Sequence, residues 1–106
     1  MAKFLIKASY NAEGVRGLLK DGGSKRKKVV EKLIAASGGK LEAFYFAFGN
    51  HDVYAIAELP DLVSIAALTM NINSSGLVSN STTVLLTPEE VDKAVKKSVK
   101  YRAPGK

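Results

Sequence analysis

The sequence predicts an α+β domain in the order β-α-β-β-α-β, its first helical segment broken into two pieces and a further helix at the end. Three observations carry this. Residues 41–48 (LEAFYFAF) and 51–59 (HDVYAIAEL) are short runs, mostly apolar on both faces, and Gly49-Asn50 between them suits a tight turn. Apolar residues recur at helical spacing on either side of this hairpin, over about 24–36 and 62–72. Strand patterns bracket the whole, at 3–9 and 77–87.

Taken in order, Lys3–Ser9 sets Phe4, Ile6 and Ala8 against Leu5, Lys7 and Ser9 and forms the first strand. Asn11 caps a short helix from Ala12 to about Lys20, which Asp21-Gly22-Gly23 ends. Ser24 is the expected cap of a longer helix to about Ala36, with Val29, Val30, Leu33, Ile34 and Ser37 inward and Gly38-Gly39 as its stop. In the hairpin, strict alternation puts Leu41, Ala43 and Tyr45 on one face and Glu42, Phe44, Phe46 and Phe48 on the other. Asp61 caps the helix from Leu62 to about Ile72, with Ile65, Leu68, Thr69 and Ile72 inward. Asn73–Gly76 is a loop, and Leu77–Thr87 is the last strand. Thr87-Pro88-Glu89-Glu90 has the threonine, proline and glutamate of a capping box and opens a helix to about Lys100, thinly apolar at Val91, Ala94, Val95 and Val99.

This order is that of the ferredoxin-like, or split βαβ, fold. Right-handed crossovers place both main helices on one face of a four-stranded antiparallel sheet. The other face would then expose many of the Phe, Tyr, Val and Ile side chains, and an apolar patch of that size marks an interface. A second copy of the chain is the simplest cover, so a homodimer or higher homo-oligomer through the sheet faces is expected. We read residues 1–106 as one domain, with 1–87 as its core, 88–100 as a peripheral helix and 101–106 as a tail.

Composition narrows the function classes. Apolar residues at 46% and charged residues at 25% are ordinary for a globular domain. The absence of cysteine excludes disulfides and thiol chemistry, and a single histidine supplies no metal set, so neither a metal nor a cofactor is expected. The N-terminus has no signal-peptide pattern and no apolar run is long enough to span a membrane, so a soluble cytoplasmic protein without a membrane partner is the expectation. The net charge of +6 favours anionic partners or simply solubility.

Few residues are candidates for chemistry. His51 is the one side chain whose ordinary pKa lies near neutrality, and His51, Asp52 and Glu58 are the acid–base candidates. The plainer reading makes His51 a polar turn residue and Glu58 a rim carboxylate paired with a lysine. Asp52 follows the turn, where its carboxylate can accept backbone amides. Tyr10, Tyr45 and Tyr54 are candidate hydroxyls for a cavity, or core rings with a hydrogen-bonded tip. The most suggestive stretch is Gly22-Gly23-Ser24-Lys25-Arg26-Lys27-Lys28, with Ser24 and Arg26 as candidate ligands for a small anion at a helix start. It lacks Walker-loop spacing, and a solvated helix start is the alternative. Nucleic acid is not the expected partner, because the aromatic residues lie in a sheet that should be covered.

The hairpin, with Gly49-Asn50-His51-Asp52 at its turn and Glu58-Leu59-Pro60-Asp61 at its end, resembles the GYD-domain family. Gly49 and Asp52 match the family's glycine–variable–tyrosine–aspartate motif, and His51 stands where its tyrosine would be. The resemblance continues through Glu13–Leu19, Gly22-Gly23-Ser24, Arg26, Gly38-Gly39, Asn73–Gly76 and Leu85–Glu90. It implies a dimeric α+β barrel in which two sheets pack face to face, and it implies little about activity. Three functions therefore stand side by side: a homo-oligomeric protein binding a small molecule, anionic or neutral, in a barrel cavity or at the basic helix N-terminus; a small barrel enzyme using His51, Asp52 or Glu58; and a structural or nucleic-acid-associated module.

Overall fold

The computed structural model describes residues 1–106. Its elements are β1 (Ala2–Tyr10), α1 (Ala12–Asp21), α2 (Gly23–Ala36), β2 (Lys40–Phe46), β3 (Val53–Leu59), α3 (Leu62–Ser74), β4 (Val78–Leu85) and α4 (Pro88–Val95). The strands form one antiparallel sheet in the order β2-β3-β1-β4, the ferredoxin-like arrangement. The sheet is open, with β2 and β4 as edges; a single chain does not close it into a barrel.

The two central strands build the core. Phe4, Ile6 and Ala8 of β1 and Val53, Ala55, Ala57 and Leu59 of β3 are buried on one face, against Ile34 of α2 and Ile65 and Leu68 of α3. Val30, Leu33 and Ile72 pack around this cluster. Val29 does not: at 47% exposure it faces outward, because residues 30, 33, 34 and 37 already complete the inward stripe.

Local signals end the helices as their chemistry requires. Asn11 and Asp61 accept from the amides of Gly14 and Ser64, each at 2.8 Å. After α2, Gly38 adopts φ 84° and the amides of Gly38 and Gly39 return to Ala35 and Ile34, a Schellman closure. Gly39 then enters β2 so tightly that a Cβ on it would lie 2.1 Å from the Glu58 carbonyl oxygen.

The hairpin departs from the sequence expectation in three ways. Strand pairing stops at Phe46 and Val53, so residues 47–52 form a loop rather than a two-residue Gly49-Asn50 turn, and His51 and Asp52 precede the strand. The left-handed residue is Phe48, at φ 58°, whose ring stacks on Phe46 with centroids 5.7 Å apart. A bulge between Leu41 and Ala43 breaks the alternation: Leu41 joins Phe44 against the core while Glu42 reaches Lys3 on the other face. Phe44 and Phe46 consequently lie on the helix-covered side. The uncovered face carries Tyr45, Tyr54, Ile56 and Leu5 among Lys3, Lys7, Glu58 and the serines of β4, and is more polar than the sequence suggests.

The expected helix to about Lys100 is shorter: α4 ends at Val95. Its capping box forms, Thr87 Oγ1 accepting from the Glu90 amide at 3.1 Å and Glu90 Oε1 from the Thr87 amide at 3.0 Å. Yet α4 buries no residue, and from Pro88 onward only Ala103 is even half-buried. The radius of gyration is 16.9 Å, against about 13 Å for a compact chain of this length. Truncation after Thr87 should therefore keep a cooperative thermal transition and shift its midpoint by less than about 4 °C. Loss of cooperative unfolding in calorimetry would show that the terminal segment belongs to the core.

Gly39→Ala should cost about 3 kcal/mol or more in urea unfolding, because neither the backbone carbonyl nor the buried Leu59 beside it can retreat cheaply.

Candidate functional site: an arginine beside an apolar cavity

The helix-covered face is not completely filled. Alanines at positions 8 and 55 line a cavity of about 40 Å³ between the sheet and helices α2 and α3. Val30 and Leu33 of α2 and Leu68 and Ile72 of α3 form its apolar roof, and Tyr10, Arg26 and Asn80 also line it. Arg26 Nε and both amide atoms of Asn80 are buried and have no hydrogen-bond partner. Such orphaned polar atoms normally have a water or a ligand to satisfy them. No carboxylate of the chain forms an ion pair with Arg26.

Arg26 reaches this position through the junction of α1 and α2. Gly22, at φ 82°, separates the helices and stands at the N-cap of α2 without a side-chain hydrogen bond. Gly23 lies against Phe46 so closely that a Cβ would sit 3.0 Å from its ring. The first turn thus rests on the sheet and Arg26 turns inward. The lysine–arginine run is thereby divided: Lys25 pairs with Asp21 at 3.7 Å, while Lys27 and Lys28 are exposed. Ser24 does not cap the helix; it is an exposed residue within the first turn, because Gly23 already begins α2.

Asn80 is a position that sequence reasoning missed. Its register partner is Ala8, and Thr82 pairs with Ile6, so both project from β4 onto the covered face. The available signal was alternation: Val78, Asn80, Thr82 and Val84 share a face, and two polar residues interrupt it. The Asn80 backbone amide donates to Asn73 Oδ1 at 2.8 Å. Asn11 anchors the neighbouring loop, donating from Nδ2 to the Gly76 carbonyl at 2.6 Å and from its amide to Leu77 at 3.0 Å. Two grooves of about 190 and 280 Å³ share Arg26 and Val78 with the cavity lining. Tyr10, Glu13 and Asp21 border the first; Asn71 and Ser75 border the second.

The remaining candidates occupy the hairpin loop and the uncovered face. His51 Nδ1 lies 3.5 Å from Ser9 Oγ, and its ring meets Tyr54 edge to face at 5.8 Å. Asp52 Oδ2 accepts the Tyr10 amide at 2.8 Å while the Asp52 amide donates to Ala8 at 2.8 Å, so this residue ties the loop to β1. Tyr45 stands opposite Tyr54 and is 70% exposed. Glu58 lies about 20 Å along β3 from Asp52 at strand rise. There it shares Lys3 with Glu42: Lys3 Nζ is 3.0 Å from Glu42 and 3.9 Å from Glu58. The structure therefore joins Tyr10 with Arg26, and His51 with Tyr54, but sets Glu58 apart from His51 and Asp52 and leaves Ser24 and Tyr45 in solvent.

The hydrogen bond from Lys3 holds the Glu42 carboxyl below its usual value of 4.5, and the same contact raises Lys3. The Ser64 amide depresses Asp61, and the Thr87 amide depresses Glu90. A carboxyl depressed on folding stabilises the native state above its unfolded pKa, and that contribution is lost as pH falls through the folded one.

Residues 4–95 match the GYD-domain family model, and the chain belongs to that family. The crystal structure of FFRP-DM1 has a similar fold: it is 19% identical, covers 81% of this chain and 100% of its own, and superposes with a TM-score of 0.52. No curated protein matches the sequence. No helix is long and apolar enough to cross a membrane.

Asp52→Ala should cost about 1–3 kcal/mol in urea unfolding, since it strips the Tyr10 amide of its charged acceptor. Acidification from pH 5 to pH 3 should lower the melting temperature through Glu42, Asp61 and Glu90, and Glu42→Gln should flatten part of that slope. A Glu42→Gln profile parallel to the wild type would exclude the Lys3 contact as a contributor.

Proposed function

We propose that this protein is a homo-oligomeric binding protein for a small anion, with the ligand held at Arg26 and two copies packed through their uncovered sheet faces. One observation carries the ligand reading: a guanidinium with an orphaned buried nitrogen stands beside an apolar cavity without a carboxylate partner. Keeping an unpaired cation partly out of water is costly, and a bound anion relieves that cost through charge-assisted hydrogen bonds. Assembly is supported by both core helices, α2 and α3, lying on one side, while Tyr45, Tyr54, Ile56 and Leu5 project from the other.

Phosphate is expected to raise the melting temperature of the wild type more than chloride at matched ionic strength. Excluded anions stabilise proteins generally, so Arg26→Met is the necessary comparison. An equal response in that variant would refute the anion site. Light scattering at micromolar concentration should find a dimer or larger assembly, and Tyr45→Arg should reduce it to a folded monomer. A wild-type monomer would refute the assembly independently of the ligand.

A further inference from the structure

We infer that the anion is a short aliphatic carboxylate, bound head-first at Arg26 and Asn80 with its hydrocarbon tail in the cavity beneath α2 and α3. This rests on the anion-binding reading above and names the ligand's chemistry. The head group follows from the donors. Arg26 Nε–H and the Asn80 side-chain N–H both lack acceptors, and both residues line an otherwise apolar chamber. A planar two-oxygen anion can accept from both, and carboxylate is the group a guanidinium fork fits. The remaining guanidinium N–H groups, or a water from the adjoining groove, can serve the Asn80 amide oxygen.

The tail follows from the rest of the lining. Beyond Arg26, Asn80 and Tyr10 the wall is aliphatic or phenyl, with Ala8 and Ala55 forming the floor. Inorganic phosphate or sulfate would satisfy the arginine but leave that chamber empty. The cavity's 40 Å³ accommodates one or two carbon atoms, since a cavity of about 150 Å³ holds the six carbons of benzene. That matches a carboxylate with one or two carbons beyond its head group, propionate being the longer. Long-chain acids do not fit unless the helices part. The two grooves at Arg26 provide the route in, and Glu13 and Asp21 on the rim of one of them disfavour entry of dianions there.

The full chain is to be titrated with sodium propionate, acetate, propionamide and phosphate at constant ionic strength, following the Arg26 Nε–H and Asn80 side-chain amide resonances by ¹⁵N NMR. Propionate should shift both saturably and bind roughly fourfold tighter than acetate, as one extra buried methylene requires. Neutral propionamide should bind far more weakly. Ala55→Val fills the chamber with a residue suited to a strand, and should bring propionate down to the affinity of acetate while leaving the Arg26 response to acetate in place. If acetate, phosphate and propionate bind Arg26 equally, the anion site stands and the carboxylate-with-tail assignment falls. If no anion moves the Arg26 resonance, both fall. If Ala55→Val is poorly folded, the propionate-to-acetate ratio on the wild type decides the matter alone.

Discussion

The structure depends on one asymmetry: both core helices pack against the same face of a four-stranded sheet, through the small residues of its central strands. Ala55 and Ala57 are almost wholly buried, and Ala8 sits at the margin of the core. Small side chains there let α2 and α3 approach the backbone, while Phe4, Ile34 and Leu59 are the largest fully buried side chains. Beside Ala8 and Ala55 the space is not completely filled, and the result is the cavity beside Arg26. Close packing and a chamber are two outcomes of the same choice of small residues.

The edge strand β4 completes this arrangement in an unusual way. An edge facing helices would gain most from apolar residues at every inward position, but Asn80 and Thr82 interrupt that pattern and leave buried polar atoms unpaired. Such groups lower stability unless a partner meets them. Their neighbour Arg26 adds a cation with the same requirement. That Arg26 and Asn80 line the same cavity is the strongest reason to regard this region, rather than the hairpin loop, as the functional one.

The hairpin loop has a different character. Asp52 is committed to the Tyr10 amide and His51 to Ser9 and Tyr54, so both stabilise the route of the chain from β2 to β3. The stretch that resembles the GYD-domain motif, Gly49-Asn50-His51-Asp52, falls on this loop, and Asp52 acts as a fastening between the loop and β1. On the uncovered face, Lys3 bridges two carboxylates near the sheet end, which adds polar specificity to a surface whose apolar patch is smaller than the sequence implies.

The sequence by itself determined the order of elements, the helix caps at Asn11, Asp61 and Thr87, the glycine stop after α2 and most of the inward residues of α3, because each is decided within a few neighbours. It also marked Arg26 and Tyr10 as candidates. Tertiary structure alone decided which of those candidates meet. The bulge at Glu42 reversed the faces of Leu41 and its neighbours, which alternation cannot foresee because an inserted residue leaves no periodic trace. Ser24 lost its expected capping role to Gly22 once Gly23 packed on Phe46. Arg26 was separated from the lysines around it only by the inward turn of α2, and its relation to Asn80 joins residues 54 positions apart. That a helix and an edge strand line one cavity at that separation depends on sheet order and packing, which no local pattern encodes.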